Sequence, residues 1–145
     1  MIWGINPPGL MGSNPAYAAT FTDNHDTARN DKFGSTDQII QGYAYLLTHP
    51  GTPFVFWDDW NTPAIQTAVK TFINIRNNQN LTPTQKIYIK NHQNGLYSAF
   101  VGEATADCGG NTCMKLGTGS WDPNYCGSGW TLATSGNNYA IWTKN

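Results

Sequence analysis

Phe21-Thr22-Asp23-Asn24-His25-Asp26-Thr27 is the stretch of sequence that decides the fold. It continues a short apolar, β-prone run that starts at Ala18, and it then changes abruptly to consecutive polar side chains. In an α/β barrel, residues at the C-terminal ends of strands line the pocket, so this order predicts a strand that ends at an active site. Asp and Asn also favour turns, and a solvated turn is the alternative interpretation of the same residues.

A helix is predicted after this strand. Ser35 and Gln38 have the spacing of a capping box, which predicts a helix over residues 36–48. The segment His49-Pro50-Gly51-Thr52-Pro53 ends the helix. Apolar residues at helical spacing predict its buried face: Ile39, Ile40, Tyr43, Leu46 and Leu47.

A second strand and a second helix come next. Phe54-Val55-Phe56-Trp57 is a continuous apolar run, typical of a strand covered on both faces. Thr62 and Pro63 then predict the start of a helix. Its apolar stripe is predicted as Ile65, Ala68, Val69, Phe72 and Ile73. The order strand, helix, strand, helix predicts parallel strands in an α/β sheet or barrel.

The pattern changes near residue 81, where we place a boundary between two domains, 1–80 and 81–145. Beyond it there are only short runs with β-type alternation, separated by turn residues, which predicts an antiparallel β-sandwich or small barrel. The predicted strands lie at residues 87–89, 96–101, 114–116, 130–132 and 139–142.

Composition limits the classes of function. Only 12% of the 145 residues are charged, against about 25% in a typical domain, and the net charge is −1, so no nucleic-acid footprint is present. No apolar run approaches the length of about 20 residues that a membrane span needs. Aromatic residues reach 13%, and Asn, Thr and Gly are plentiful. This combination suits a neutral, hydroxyl-rich ligand such as a carbohydrate.

The cysteines leave the cellular compartment open. Cys108, Cys113 and Cys126 match no zinc pattern, and they fit one disulfide with one thiol or three thiols equally well. Met1-Ile2-Trp3-Gly4 lacks the features of a signal peptide. The location is therefore unknown, with an extracellular location favoured over a cytoplasmic one.

Several stretches together carry a family resemblance. They are Pro7-Pro8-Gly9, residues 18–27, Gln41-Gly42-Tyr43-Ala44-Tyr45-Leu46-Leu47-Thr48-His49-Pro50-Gly51, the residues Pro53, Phe56 and Asp58, and Asn138-Tyr139-Ala140-Ile141-Trp142. In this order and spacing, the sequence resembles the C-terminal portion of the α-amylase family of glycoside hydrolases, most closely its plant-like branch.

The resemblance implies a fold and an activity. It implies the last two β/α units of a (β/α)8 TIM barrel followed by a C-terminal antiparallel β-sandwich domain. The activity is that of a retaining glycosidase, which hydrolyses internal α-1,4-glucosidic bonds of starch and related α-glucans. Asp26 is similar to the family's catalytic transition-state stabiliser, whose hold on sugar hydroxyls strengthens as oxocarbenium character develops. His25 and Asn24 are similar to the substrate-binding imidazole and to the amide that orients the loop. The family holds calcium, but no metal ligand is assigned in this chain.

Part of the chemistry is missing. A retaining glycosidase needs a nucleophilic carboxylate and an acid/base carboxyl about 5 to 5.5 Å apart. In the family both precede the Asn-His-Asp segment, whereas this chain begins shortly before that segment and has a single glutamate, Glu103, in its C-terminal part. We therefore predict that the missing N-terminal barrel portion is required for activity, and that the 145-residue chain alone is inactive.

Some positions depart from the family or admit a simpler role. Ala28-Arg29 replaces small residues, Trp57 replaces a Tyr, and Asp59 stands where a His is common. These departures leave the substrate preference open. Asp23 is predicted to be a structural hydrogen-bond acceptor. Asp58 and Asp59 are either cleft residues or solvated turn acids.

Two other functions fit parts of the sequence. Trp121, Tyr125 and Trp130 lie in a Gly- and Asn-rich setting and could stack on sugar rings, as in a non-catalytic carbohydrate-binding or interaction module. The alternative for these aromatic residues is a packing role. His25-Asp26 also has the form of a phosphohydrolase metal dyad, which would need further ligands on packed helices.

Overall fold

The computed structural model describes residues 6–27 and 33–144. Met1-Ile2-Trp3-Gly4 and Ala28-Arg29 therefore lie outside the described residues. In the first half of the chain the helices are α1 (Leu10–Ser13), α2 (Thr36–Thr48), α3 (Trp57–Trp60) and α4 (Pro63–Asn78), with strands β1 (Ala19–Thr20) and β2 (Thr52–Pro53). The second half contains β3 (Ile87–Gln93), β4 (Leu96–Val101), β5 (Thr112–Leu116), β6 (Trp130–Gly136) and β7 (Tyr139–Lys144).

The first two strands pair in parallel, as predicted from the element order. Ala19 lies opposite Thr52 and Thr20 lies opposite Pro53. The hydrogen-bonded ladder continues to Phe54, whose N–H donates to the carbonyl of Thr20 at 2.8 Å. A small α/β unit thus begins the described chain.

The predicted strand over residues 54–57 is wrong. The strand lies two residues earlier, residues 54–56 have no regular structure, and Trp57 already begins α3. The physical reason is visible at Phe56, whose N–H donates to the hydroxyl of Tyr43 at 3.1 Å instead of to a neighbouring strand. The chain then turns into α3, where Trp60 N–H donates to the carbonyl of Phe56.

The helices begin and end close to their local signals. The bounds of α2 agree with the prediction, and the Ser35 hydroxyl accepts from the N–H of Gln38 at 3.3 Å. The second half of the capping box differs, because the Gln38 side chain accepts from the N–H of Gly34. Helix α4 has Pro63 at its first position, as predicted. Its buried residues are Ile65, Val69, Phe72, Ile75 and Arg76.

The second half of the chain forms one five-stranded antiparallel sheet in the order β3-β4-β5-β7-β6. The antiparallel arrangement is confirmed, but the described residues contain no second sheet to complete a β-sandwich. Helices α2 and α4 occupy one face of the sheet instead. Met114 and Ile141 point from the sheet into the same core as Tyr43, Leu46 and Phe72 of the helices.

Aromatic side chains fill the opposite face of the sheet. Phe100 and Cys113 are fully buried there. Trp121 packs edge-on against Phe100 and against Trp142, with ring centroids 5.7 Å apart in both pairs. The loop that carries Trp121 is closed by the Cys108–Cys126 disulfide, and Cys113 remains a buried thiol whose pKa is raised by burial.

A buried polar network fixes the connection from α2 to β2. The Arg76 guanidinium, near the end of α4, donates to the carbonyls of Leu47, His49 and Gly51 at 2.9, 3.0 and 3.1 Å. Gly51 has a φ of 95°, and an added Cβ would lie 2.7 Å from the methyl group of Thr20, so only glycine suits this position.

His49 is the titratable centre of this network. It is fully buried and stacks on the ring of Tyr45 with centroids 3.8 Å apart. Its Nδ1 lies 3.0 Å from the Thr48 hydroxyl, and its Nε2 lies 2.6 Å from the Tyr97 hydroxyl. Burial lowers the pKa of His49 to about 3, and the positive charge of Arg76 acts in the same direction. The imidazole is therefore neutral at ordinary pH.

None of the helices in the described part of the chain has the length and apolar character needed to cross a membrane.

Candidate functional site

The residues that follow β1 form a tight turn, which we call the polar turn (residues 23–27). Its centre is the side-chain oxygen of Asn24, which accepts from the N–H groups of Asp26 at 2.9 Å and Thr27 at 3.1 Å. The backbone closes the same turn, since Thr27 N–H donates to the Asn24 carbonyl at 3.1 Å. An Asx side chain that bonds its own backbone two and three residues on defines a turn locally. Asn24 therefore orients the polar turn.

The side chain of Asp23 stabilises the polar turn from its first position. Its carboxylate accepts from the N–H of Asn24 at 2.9 Å and from the hydroxyl of Thr27. The Thr27 hydroxyl oxygen in turn accepts from the N–H of Asn24 at 3.2 Å. These contacts agree with a structural role for Asp23.

His25 and Asp26 project from the polar turn into solvent. Their side chains are 87% and 79% exposed, and His25 Nε2 lies 3.4 Å from a carboxylate oxygen of Asp26. Asp26 thus differs from Asp23, whose carboxylate bonds within the turn. The turn presents an imidazole and a carboxylate side by side, an arrangement that can donate to and accept from the hydroxyls of one ligand.

A shallow cavity of about 230 Å³ joins the polar turn to the end of β2. On one side it is lined by Asp23, Asn24 and His25, and on the other by residues 54–57. Phe54 and Trp57 are 56% and 68% exposed, although both are large apolar residues. Because β1 and β2 are parallel, their carboxyl ends meet at the same edge of the sheet, and the candidate site lies at that edge.

The two aspartates after β2 have different surroundings. Asp58 is exposed. Asp59 accepts from the hydroxyl of Tyr43 at 2.6 Å and from that of Thr22 at 3.4 Å. Sequence reasoning placed Tyr43 only in the apolar core and assigned Thr22 no role. Tyr43 does lie in residues 41–51, one of the stretches that carry the family resemblance. That match does not show which group bonds the Tyr43 hydroxyl.

The chain's glutamate lies away from the polar turn. Glu103 precedes Ala104, whose N–H donates to the carbonyl of Lys86 at 3.3 Å. The segment that contains Lys86 also reaches the start of β2, since the carbonyl of Pro83 accepts from the N–H of Gly51 at 2.8 Å. Glu103 is thus on the side of the amino end of β2, opposite to the edge that carries the polar turn.

No calcium ligand is assigned among the described residues. The one group of three potential metal ligands found among them is Asp107, Cys108 and Cys126, and both of these cysteines are joined in the disulfide. Disulfide sulfurs are not thiolate ligands, whereas calcium takes six to eight oxygen ligands. His49, His92 and the His25-Asp26 pair do not form a metal-ligand group within the described residues.

Of the three aromatic residues considered for sugar stacking, the two tryptophans belong to the aromatic face of the sheet. Trp121 contacts Phe100, and Trp130 lies with its ring centroid 5.6 Å from that of the same Phe100. The ammonium of Lys144 covers the Trp130 ring at 4.3 Å. Tyr125 is 53% exposed, and its hydroxyl donates to Asp107 at 2.7 Å.

Comparisons with known proteins give a family match and several relatives. Residues 78–143 match the family model described as the alpha-amylase C-terminal beta-sheet domain. "Probable alpha-amylase 2" of Arabidopsis thaliana is 43% identical over 143 residues, which is 95% of this chain and 32% of that protein. "Alpha-amylase 3, chloroplastic" of the same plant is 34% identical over 94% of this chain and 15% of that protein.

A third relative is matched over most of its own length. "Alpha-amylase type B isozyme" of Hordeum vulgare is 32% identical over 139 residues, which is 94% of this chain and 86% of that protein. The chain spans about a third of the length of the first Arabidopsis relative and less of the second. The chain belongs to the α-amylase family, and its second half is the family's C-terminal β-sheet domain.

Proposed function

We propose that this chain supplies one part of the active site of an α-amylase, a retaining glycosidase that hydrolyses internal α-1,4-glucosidic bonds of starch-like α-glucans. Asp26 is the transition-state-stabilising carboxylate, His25 donates a hydrogen bond to the same sugar, and Asn24 orients the turn that carries both. The observation that supports this most is the polar turn itself, because it holds an exposed His25-Asp26 pair at the carboxyl end of β1.

The chemistry follows from the charge that develops on the sugar. As the glycosidic bond breaks, the ring gains oxocarbenium character and its hydroxyls become better donors. A carboxylate at the position of Asp26 accepts from those hydroxyls more strongly in the transition state than in the ground state, which lowers the barrier. The N–H of the neighbouring imidazole, His25, donates to the same sugar and fixes the position of the sugar ring. Neither residue attacks the sugar or protonates the leaving group.

We propose further that residues 1–80 are the last two β/α units of a (β/α)8 barrel, and that 81–145 form the second domain. The open side of β1 supports this proposal. A cavity of about 690 Å³ lies beside β1 and α2, and its lining includes Phe21, Phe33 and Leu46. Two parallel strands cannot close a barrel, and an uncovered strand edge with apolar surface favours pairing with further strands. The remaining barrel strands would cover that edge.

The nucleophile and the general acid then belong to barrel strands outside these 145 residues. Glu103 lies on the wrong side to complete the pair, and Asp58 and Asp59 neighbour the site without a matching glutamate. We therefore expect no starch hydrolysis by the 145-residue chain. Release of reducing sugar from starch by the purified chain, at rates ordinary for an amylase, would contradict this proposal.

A chimera tests the role of Asp26 directly. The matching region of "Probable alpha-amylase 2", 43% identical, would be replaced by this chain. We expect the chimera to hydrolyse starch and Asp26→Asn to lower its kcat by at least about a hundredfold, as the loss of one transition-state contact does. Asp58→Asn is the matched control, because Asp58 is an exposed carboxylate after the neighbouring strand. An Asp26→Asn chimera with full activity would refute the assignment.

Calcium enters no step of this proposal, because no calcium ligand is assigned among the described residues. The disulfide between Cys108 and Cys126 supports an oxidising, extracellular compartment, where disulfides persist.

The rival function, a carbohydrate-binding module without catalysis, depends on the aromatic residues of the second domain. We propose that Trp121 and Trp130 act in packing, because both contact Phe100 beneath them. A starch pull-down separates the two functions. Unchanged retention after Trp121→Ala and Trp130→Ala supports packing, and a loss of retention with the fold intact supports sugar stacking.

A further inference from the structure

We propose that Asp59 is a positioning residue for Asp26: through Tyr43 and Thr22 it fixes the point at which the polar turn leaves β1. This inference rests on the proposed function for its catalytic meaning, but the contacts that carry it do not depend on that function.

The hydrogen bonds of Asp59 join three parts of the fold. One carboxylate oxygen accepts from the Tyr43 hydroxyl of α2 at 2.6 Å and from the Thr22 hydroxyl at 3.4 Å. The Tyr43 oxygen also accepts from the N–H of Phe56, just after β2. Helix α2, the exit from β1 and the exit from β2 are therefore tied together at one carboxylate.

Tyr43 makes this hydrogen-bonded junction rigid. Its side chain is fully buried in the core between the helices and the sheet, so it cannot follow a moving loop. Burial, reinforced by the hydrogen bond to Asp59, raises the pKa of the Tyr43 phenol to about 12. The hydroxyl is thus protonated throughout the ordinary pH range, and it remains a donor to the carboxylate.

Thr22 connects the Asp59 carboxylate to the polar turn. It directly precedes Asp23, whose carboxylate bonds Asn24 and Thr27 within the turn. Its methyl group is also confined, because a Cβ added to Gly42 of α2 would lie only 2.9 Å from it. The Thr22 side chain is therefore held on its hydroxyl side by Asp59 and on its methyl side by α2, and the turn begins from a defined point.

Sequence position alone does not assign this role. Asp58 and Asp59 are adjacent carboxylates in α3, but the Asp58 side chain is exposed, and its backbone carbonyl accepts from the Thr62 hydroxyl. Asp58 is thus a matched control on the same helix.

The order of the polar turn in the 145-residue chain tests the proposal. Backbone amide order parameters from ¹⁵N relaxation are near 0.85 for rigid residues and below about 0.6 for flexible ones. We expect residues 24–27 to fall from the first range toward the second in Asp59→Ala, with the amides of α4 unchanged. In Asp59→Asn, which keeps an acceptor of the same shape, we expect residues 24–27 to retain most of their order. In Asp58→Ala we expect their order parameters to be unchanged.

Two outcomes would overturn the proposal: order parameters of residues 24–27 that are the same in Asp59→Ala as in the unchanged chain, or an equal loss in Asp58→Ala. If Asp59→Ala does not fold, Tyr43→Phe removes only the hydroxyl and gives the same readout. No activity is measured, so an active Asp26→Asn chimera would refute the proposed function and leave the role of Asp59 in holding the turn intact.

Discussion

The free energy of unfolding of this chain should fall by about 2 kcal/mol between pH 7 and pH 5 because of one side chain, His49. The imidazole is fully buried and stacked on Tyr45. The Thr48 hydroxyl already donates to the Ala44 carbonyl at 2.8 Å. The neutral ring therefore donates from Nδ1 to Thr48 and accepts at Nε2 from the Tyr97 hydroxyl. A proton on Nε2 would replace that acceptor with a second donor.

The sign and the size follow from the two pKa values. The pKa of His49 is about 3 in the folded chain and 6.5 in the unfolded one. Between these values the unfolded chain binds one more proton, so stability decreases as the pH falls below 6.5. At pH 5 the unfolded value lies about 1.5 pH units above the solution pH, and each unit is worth about 1.4 kcal/mol, which gives about 2 kcal/mol. The loss continues until the pH reaches the folded pKa.

Urea unfolding followed by tryptophan fluorescence at pH 7, 6 and 5 measures this loss, since the chain has six tryptophans. In His49→Gln the pH-dependent loss should be smaller by about 2 kcal/mol than in the unchanged chain. His25→Gln, which removes an exposed imidazole, is the matched control. Equal pH dependence in the unchanged chain and in His49→Gln would refute the reasoning. If His49→Gln does not fold, an NMR titration of His49 in the unchanged chain decides, because a midpoint near 6.5 contradicts a buried neutral ring.

Three further predictions concern packing and the disulfide. Gly42→Ala should destabilise the chain by about 1 kcal/mol in urea unfolding, because overpacking against the Thr22 methyl exceeds the gain in helix propensity, and Thr22→Ser in the same background should restore stability. Arg76→Lys should cost about 2 kcal/mol, because a single ammonium cannot satisfy three carbonyls as the guanidinium does, and a Tm within one degree of the unchanged chain would contradict this. Reduction of the Cys108–Cys126 bond, which closes a loop of 18 residues, should lower the free energy of unfolding by about 3 kcal/mol, and a double Ala variant should be insensitive to the reductant.

The elements that sequence predicted well are those whose signals are local. Helix α2 begins after Ser35 and ends at Thr48, as its cap and its breaking segment indicate. The alternating runs of the second half all became strands, although β3, β5, β6 and β7 extend further than predicted. The antiparallel pairing of β3 with β4 and of β6 with β7 also follows from the short turns that join them, whereas the pairing of β5 with β7 does not.

The misplaced features depend on partners distant in sequence. An apolar run such as residues 54–57 has no periodicity that separates a strand from another buried segment, and here the Tyr43 hydroxyl takes the N–H of Phe56. Period-two alternation shows that one face of each strand is covered, but it does not show whether a sheet or two helices cover it. Arg76 was not predicted to be buried, because its carbonyl partners lie 25 to 29 residues away.

The same distinction applies to Asp23, Asp26 and Asp59 around the candidate site, because the sequence does not show which hydrogen bonds each carboxylate accepts. Asp23 bonds the backbone and a hydroxyl of its own turn, and Asp59 bonds hydroxyls from α2 and the exit of β1. Within the described residues, the Asp26 carboxylate pairs with His25, and its side chain is 79% exposed. A carboxylate that accepts from a sugar hydroxyl must keep its oxygens available, and the exposure of Asp26 supports the proposal that it, and not Asp23 or Asp59, contacts the ligand.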